Sequence, residues 1–363
     1  MKQREQVRYF FFILLLCTIS EKVALAVTNN ELFENKNILI LGGTGYLGRA
    51  ITVEVLKYNP KSITIFSRDE VKHFNCSKMF GSHQNVQSMI GDIRDYDSVF
   101  QATRGIDIVF HVAALKRMDA LESNVQEAIK TNILGSVNVF QACIANGVDK
   151  VLFISTDKAC SPINTYGACK FVSEKIFTNY DHSYIKTKFM VARFGNILES
   201  TGSVIPIFAE KIKNGEEIPL TDDRMTRFIV SKEQAVELIF NALKYGVGGE
   251  IFVKKLPALR IIDLIEVLKH KYNAHNTIKV IGLRPGEKIH EVLINESEMV
   301  RTYAFQDYYV ITPSLPDWNK NEIALYIEQG IRFTVAGSCD YSSAQAVINQ
   351  SELQETFMRL GLL

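Results

Sequence analysis

The run Asn37-Ile38-Leu39-Ile40-Leu41 leads directly into the glycine-spaced segment GGTGYLG at 42–48. A short continuous apolar run ending in glycines reads as a buried parallel strand. A helical pattern follows from Leu47 to Tyr58, stopped by Asn59-Pro60. The three glycines then have distinct physical uses. One permits the tight turn, one lets the backbone approach a pyrophosphate, and one lets the helix pack close on the strand. Backbone N–H groups at the helix start have no acceptors of their own, so they face the phosphates. A lone glycine triplet is a weak signal, but strand, turn and helix together predict a dinucleotide site at Gly42, Thr44, Gly45, Tyr46, Leu47 and Gly48.

Further strand-like runs occur at Ser62–Phe66, Val86–Ile90, Asp107–Val112, Lys150–Ser155 and Lys188–Arg193. Helical stretches separate them, including Glu122–Ala145 and Thr165–Tyr180. Such alternation predicts a doubly wound, Rossmann-like α/β fold: a parallel sheet with helices on both faces and ligands beyond the carboxyl ends of the strands. After about residue 195 the rhythm breaks at Asn214-Gly215, at Gly246 to Gly249 and at Pro257. The expected organisation is a targeting or extension segment at 1–30 and a dinucleotide-binding domain with the catalytic residues at 36–195. A smaller mixed lobe at 196–335, with returns to the main sheet, would bind substrate, and 336–363 would form a C-terminal extension.

The formal net charge of +1 gives no reason to expect a polyanionic partner. With no basic cluster interleaved with aromatics, nucleic-acid binding is not expected. The cysteines at 17, 76, 143, 160, 169 and 339 show no Cys-x-x-Cys spacing, so a metal site is not expected either. Scattered reduced thiols are the simpler interpretation. Sequons at Asn75, Asn295 and Asn349 are of a number that chance supplies in a chain this rich in Asn and Ser.

The second strand bears on the choice of cofactor. An acidic residue at its end would accept from a ribose 2′-OH and favour NAD. Here the end reads Phe66-Ser67-Arg68-Asp69, so Ser67 and Arg68 reach the ribose edge first. A guanidinium suits a 2′-phosphate and favours NADP. Asp69 keeps NAD open, because one residue of register would change which side chain arrives, and Arg68 could also be a solvated surface charge. After the third strand, Asp92 of Gly91-Asp92-Ile93 could accept from the adenine amine or cap a helix.

Tyr166 and Lys170 lie one helical turn apart and share a face. An ammonium near a phenol makes tyrosine a usable base near neutral pH, able to take a hydroxyl proton while hydride leaves carbon. With 14 tyrosines in the chain such a pair also arises by chance, and its place at the start of the helix after the fifth strand is what marks it. Just before it stand Ser155-Thr156-Asp157-Lys158. Hydride transfer alone has no need of this second acid–base pair, whereas dehydration must remove a proton and expel a hydroxyl as water. An exposed Asp–Lys pair at a strand end is the plain alternative.

These segments resemble the extended short-chain dehydrogenases/reductases, and within them the inverting UDP-N-acetylglucosamine 4,6-dehydratases of the PseB type. The likeness rests on GGTGYLG (42–48), FSRDE (66–70), GDIRD (91–95), VFHVAALKRMDALE (109–122), KTNILGSVNV (130–139), STDKACSPINTYGACK (155–170), RFGNILESTGSVIPIF (193–208), LTDDRMTRF (220–228) and LRPGEKIHE (283–291). The resemblance implies that Tyr166, helped by Lys170, takes the C4 hydroxyl proton while C4 hydride passes to NADP⁺. Lys158 would remove the C5 proton, Asp157 would protonate the departing C6 hydroxyl, and Thr156 would position the ketone. Hydride return to C6, with reprotonation of C5 on the opposite face, would invert that centre. Related membrane dehydratases and epimerases often carry Met where this chain has Tyr166.

The resemblance also implies cofactor contacts from Ile93, Ala113, Ala114 and Lys116, and substrate contacts from Lys116, Asn196, Arg227, Arg284 and Glu287. The two arginines would neutralise phosphate, or serve only as surface ion pairs. Relatives are dimers or larger, which implies a homo-oligomer. The chain departs from the family's Val-Pro at Met118-Asp119 and from its Ala-Asn at Cys160-Ser161.

At the N-terminus, Lys2, Arg4 and Arg8 precede an apolar run from Tyr9 to Leu16 that continues to Ile19, and Ala24-Leu25-Ala26 resembles a cleavage site. That is a signal-peptide layout, too short for a comfortable membrane span. A targeting segment and a reading frame extended upstream both fit. Cytosolic substrates point to the cytoplasm; a genuine signal would point instead to a secretory or organelle lumen.

Overall fold

The computed structural model describes residues 28–182, 184–198, 204–314, 326, 330–332 and 340–362. The expected N-terminal segment therefore lies almost wholly outside the described residues, as do Cys17 and Cys339. Six parallel strands form the frame: β1 (Asn37–Leu41), β2 (Ser62–Ser67), β3 (Val86–Ile90), β4 (Ile108–His111), β5 (Lys150–Ile154) and β6 (Lys188–Arg193). They are ordered β3-β2-β1-β4-β5-β6, with Leu41 opposite Phe66 on one side and His111 on the other. The doubly wound expectation holds. Ile38 to Leu41 have no exposed surface, because helices cover both faces of the sheet. β3, at the edge, keeps Gln87 and Ser88 exposed.

Beyond β6 the same sheet continues through Ile251–Lys254, Tyr308–Ile311, Thr302–Ala304 and Ile331–Arg332. The first of these is parallel to β6 and the next pairing is antiparallel. A second apolar cluster, including Phe208, Ile218, Leu264, Leu268 and Phe357, builds the smaller lobe. It draws on the helices Val204–Lys213, Ile261–Lys271 and Gln350–Arg359. Leaving Ala in place of a core Leu there would cost about 2–5 kcal/mol.

One predicted element is corrected. The stretch from Glu122 to Ala145 is not a single helix. A helix Met118–Ser123 ends at Asn124 (φ −131°, ψ 52°), and a new one runs from Val125 through a wide π turn, Ile129–Leu134, into Gly135–Ala145. Hydrophobic spacing registers the apolar face but not this change of pitch. Among the described residues, no helix is long and apolar enough to cross a membrane.

Candidate active site

Gly42 adopts φ +81°, and a Cβ there would lie 2.7 Å from the Ala113 backbone nitrogen. A Cβ on Gly48 would lie 2.6 Å from Gly43 Cα. Side chains are thus excluded where the loop passes under β4 and where the helix Tyr46–Leu56 meets the loop. That helix starts from Gly45, which gives no side-chain cap, so its first N–H groups stay available to an anion. The cradle fits the pyrophosphate of a dinucleotide. Thr44 and Ser67 share a hydroxyl hydrogen bond of 2.9 Å, and Ser67 in turn meets His73 at 3.1 Å, tying the loop to the end of β2.

At that end, Asp69 caps the helix Glu70–Phe80 by accepting from the Lys72 N–H at 3.0 Å. Arg68 reaches Asp92 at 3.5 Å, and Arg94 forks onto the same carboxylate at 2.9 and 2.7 Å. Burial pushes the Asp92 carboxyl up, but the two guanidiniums outweigh it and hold it below its ordinary range. The helix Tyr96–Ala102 is capped by Asp95, which corrects the expectation that Asp92 could be a cap. An open cavity of about 400 Å³ lies here, lined by Asp92, Arg94, Asp95, Lys130 and Leu134. Ile93 is buried against Gly135. Ala113 and Ala114 are half-buried just after β4, and Lys116 is exposed beyond them.

β5 delivers the candidate catalytic segment. Ser155 continues the strand pairing to Ala192, and its hydroxyl donates to Glu174 at 2.5 Å. The chain then tightens into a 3₁₀ turn, Asp157–Ala159, capped by Thr156. Thr156 Oγ1 donates to Asp157 Oδ1 at 2.9 Å, and Lys158 Nζ donates to the same oxygen at 3.0 Å. Asp157 has no exposed surface, and its Oδ2 has no partner among the described residues. Lys158 also reaches Asn196 at 3.4 Å and Glu291 at 3.4 Å. Burial would lower the Lys158 ammonium, but the two carboxylates outweigh it and raise it above lysine's ordinary range.

The helix Thr165–Thr178 brings Tyr166 to this turn. Asn164 caps it, accepting from the Gly167 N–H at 2.7 Å. Gly167 admits no side chain, since a Cβ would lie 2.2 Å from the Lys158 carbonyl oxygen. Burial pushes the Tyr166 phenol up to about 12, against the Lys158 ammonium and a hydrogen bond with Thr156. Lys170 turns the other way. Its Nζ donates to the Ile154 carbonyl at 2.5 Å and sits 4.0 Å over the Phe153 ring, and burial pushes it down to about 7. The cation that bears on Tyr166 in this structure is therefore Lys158, opposed by the Asp157 carboxylate. Ser161 takes φ +48°, a left-handed conformation that Asn adopts more readily than Ser.

The smaller lobe closes over this turn. Arg227 is buried, donates to the Thr226 and Ile289 carbonyls at 2.7 and 3.1 Å, and stands 3.7 Å from Glu291. Arg284 is exposed, 4.0 Å from Glu287, whose Oε2 is buried without a partner among the described residues. Asn164 donates to the Gly286 carbonyl at 2.8 Å, which locks this loop to the start of the Tyr166 helix. Three residues of the site were not foreseen. Glu291 closes the segment LRPGEKIHE, and Asn164 is an ordinary cap residue within the catalytic segment. Asn132, on the π turn, pins the Leu115 N–H and carbonyl, each at 2.8 Å. Among the described residues no His, Cys, Asp and Glu cluster could hold a metal, and Cys76, Cys143, Cys160 and Cys169 are buried free thiols.

Residues 38–313 match the polysaccharide biosynthesis protein family. A UDP-N-acetylglucosamine 4,6-dehydratase (inverting) of Campylobacter jejuni is 44% identical over 288 residues, covering 78% of this chain and 85% of that protein. A UDP-glucose 4-epimerase of Rickettsia bellii is 39% identical over 336 residues, covering 91% and 97%. The X-ray structure of Pen from Bacillus thuringiensis superposes with a TM-score of 0.83 at 39% identity, over 91% of this chain and 99% of that one. The likeness spans the glycine loop, the Asp157–Lys158 turn and the lobe that covers it, and the chain belongs to the polysaccharide biosynthesis protein family.

Proposed function

We propose that the chain is an NADP-dependent UDP-N-acetylglucosamine 4,6-dehydratase that inverts C5. Its product would be a UDP-4-keto-6-deoxy-hexosamine for surface-glycan or pseudaminic acid-type synthesis. The observation that carries this is the Asp157–Lys158 pair, 3.0 Å apart and beside Tyr166, with Asp157 fully buried. Oxidation and reduction at C4 leave such a pair idle, whereas elimination of water needs one acid and one base.

Gly42, Thr44, Gly45, Tyr46, Leu47 and Gly48 would hold the pyrophosphate, Ser67 and Arg68 the ribose phosphate, and Asp92 and Ile93 the adenine. Ala113, Ala114, Lys116, Tyr166 and Lys170 would border the nicotinamide half. Use of Asp69 as a helix cap supports NADP over NAD, since its carboxylate is already engaged. When bound, the nicotinamide would supply a hydride acceptor for C4 and a hydride donor for C6. Tyr166 takes the C4 hydroxyl proton, aided by the Thr156 hydroxyl and the Lys158 charge. Lys158 takes the C5 proton, made acidic by the C4 ketone, and Asp157 protonates the departing C6 hydroxyl. Lys116, Asn196, Arg227, Arg284 and Glu287 would hold the UDP-sugar. We assign the catalytic unit to the cytoplasm because its UDP-sugar substrate is supplied there; exposed Ile129, Leu134 and Val172 support a homo-oligomer.

Incubation of the purified protein with UDP-N-acetylglucosamine, followed by NMR, should show loss of the C6 hydroxyl and an inverted C5. Unchanged sugar, or a C4 epimer alone, would overturn the proposal. The second reading is a UDP-sugar 4-epimerase, favoured by the longer match to the Rickettsia protein. Asp157→Asn separates the two, abolishing water loss while sparing a simple C4 oxidation and reduction.

A further inference from the structure

Four charged groups meet beneath the proposed C5 and C6 chemistry. Asp157, Glu291 and Arg227 are buried, and the Lys158 side chain is 12% exposed. Lys158 Nζ stands between Asp157 at 3.0 Å and Glu291 at 3.4 Å, and Glu291 also faces Arg227 at 3.7 Å. Tyr166 and Asn196 complete the surroundings of the ammonium. Two cations therefore face two carboxylates. Glu291 keeps one oxygen, Oε2, buried without a partner among the described residues, although a glutamate placed only to hold Arg227 would use both.

We propose that Glu291 is a positioning residue for the elimination: it retains on the Lys158–Asp157 pair the single proton that the pair must carry into the reaction. This rests on the dehydratase proposal above. Without Glu291, Lys158 and Arg227 would be two buried cations against one carboxylate. A buried excess charge is relieved by titration, and Lys158 can release a proton where arginine cannot. The pair would then lose its proton at a lower pH, and over that alkaline range it would hold a neutral amine and a bare carboxylate, with no acid left for the leaving hydroxyl.

With Glu291 present, Lys158 enters as the ammonium. One Lys158 N–H bond breaks and an Asp157 O–H bond forms across the 3.0 Å contact, leaving a free amine lone pair. That lone pair takes the C5 proton, the C5–H electrons become the C5–C6 double bond, and the C6–O bond breaks. The Asp157 proton goes to the departing oxygen, so water leaves. Lys158 ends as the ammonium and Asp157 as the carboxylate, as they began, with no net oxidation in this step.

The test uses the full chain with its dinucleotide. Lysine ε-carbon NMR follows Lys158, assigned by its disappearance in Lys158→Arg, and turnover of UDP-N-acetylglucosamine is measured against pH. Glu291→Gln should move the onset of Lys158 deprotonation, and the alkaline limb of kcat, down by about one pH unit or more. Glu291→Asp should restore both, and Arg227→Gln should move the Lys158 onset upward. A Glu291→Gln protein that loses activity with both profiles unmoved would make Glu291 merely structural and overturn the proposal. So would an Arg227→Gln onset that stays or falls, which keeps the test open if Glu291→Gln does not fold. If the wild-type chain leaves the sugar unchanged, the dehydratase proposal fails, while the NMR titration still decides the role of Glu291.

Discussion

Arg193, with no exposed surface, grips both oxygens of Glu174, through Nε at 2.9 Å and Nη2 at 2.6 Å. The other edge of the same guanidinium holds Glu298 at 2.8 Å. Arg193 ends β6, Glu174 lies on the Tyr166 helix and Glu298 on the short helix Glu296–Met299. One side chain thus joins the sheet, the Tyr166 helix and the short helix that leads into the sheet strand Thr302–Ala304. Through Ser155, which donates to Glu174, it also sets the end of β5 from which the Asp157–Ala159 turn departs.

Arg193→Met should therefore destabilise the chain by about 3–5 kcal/mol, because two buried carboxylates would lose their partner. Arg193→Lys, lacking the fork, should recover only part of that. Denaturant melts of the three proteins check the order. Equal stability for wild type and Arg193→Met would show that the network adds nothing.

Tyr166→Phe removes one oxygen and leaves the ring packing. Turnover should fall about 10²–10⁴-fold, the usual worth of a positioned acid or base. Dinucleotide affinity and the far-UV circular dichroism should stay as in the wild type. Turnover within tenfold of wild type would remove Tyr166 from the chemistry and shift the base to another group.

Arg68→Ala should weaken NADP about tenfold and leave NAD unchanged, because the guanidinium would act only on the 2′-phosphate. Arg94 stays anchored on Asp92 by two contacts, so the adenine end should keep its shape. Titration by protein fluorescence measures both affinities. An equal loss for the two dinucleotides would mean that Arg68 shapes the loop and does not read the phosphate.

The positions of the parallel strands were legible because burial on both faces leaves a plain mark: Ile38 to Leu41 and Val151 to Ile154 are continuous apolar runs. Asp157, Lys158 and Tyr166 were legible because they are close in the chain as well as in space. Glu291 was not, since its role exists only once the lobe folds back onto the β5 turn. The π turn escaped for a similar reason. Its pitch goes with Asn132 bonding Leu115, a pairing between an irregular segment and a helix that periodicity cannot register. The orientation of Lys170 was hidden too: spacing put it on the face of Tyr166, but the Ile154 carbonyl and the Phe153 ring hold its ammonium.

That burial gives Lys170 a signature in the pH dependence of stability. Its ammonium is pushed down to about 7 in the folded chain, while an unfolded lysine titrates near 10.4. Between those values the unfolded chain binds the extra proton, so the contribution of Lys170 to stability rises with pH across the window. Below about pH 7 both states are protonated and the full cost of burying the charge is present. The slope from one proton is at most about 1.4 kcal/mol per pH unit. Lys170→Met removes this group and its slope but leaves the other titrating groups in place. The difference in unfolding free energy between wild type and Lys170→Met should therefore change in favour of wild type from pH 7 to pH 9. Parallel curves over that range would mean that Lys170 stays charged in the fold, with the Ile154 carbonyl and Phe153 sufficient to keep its proton.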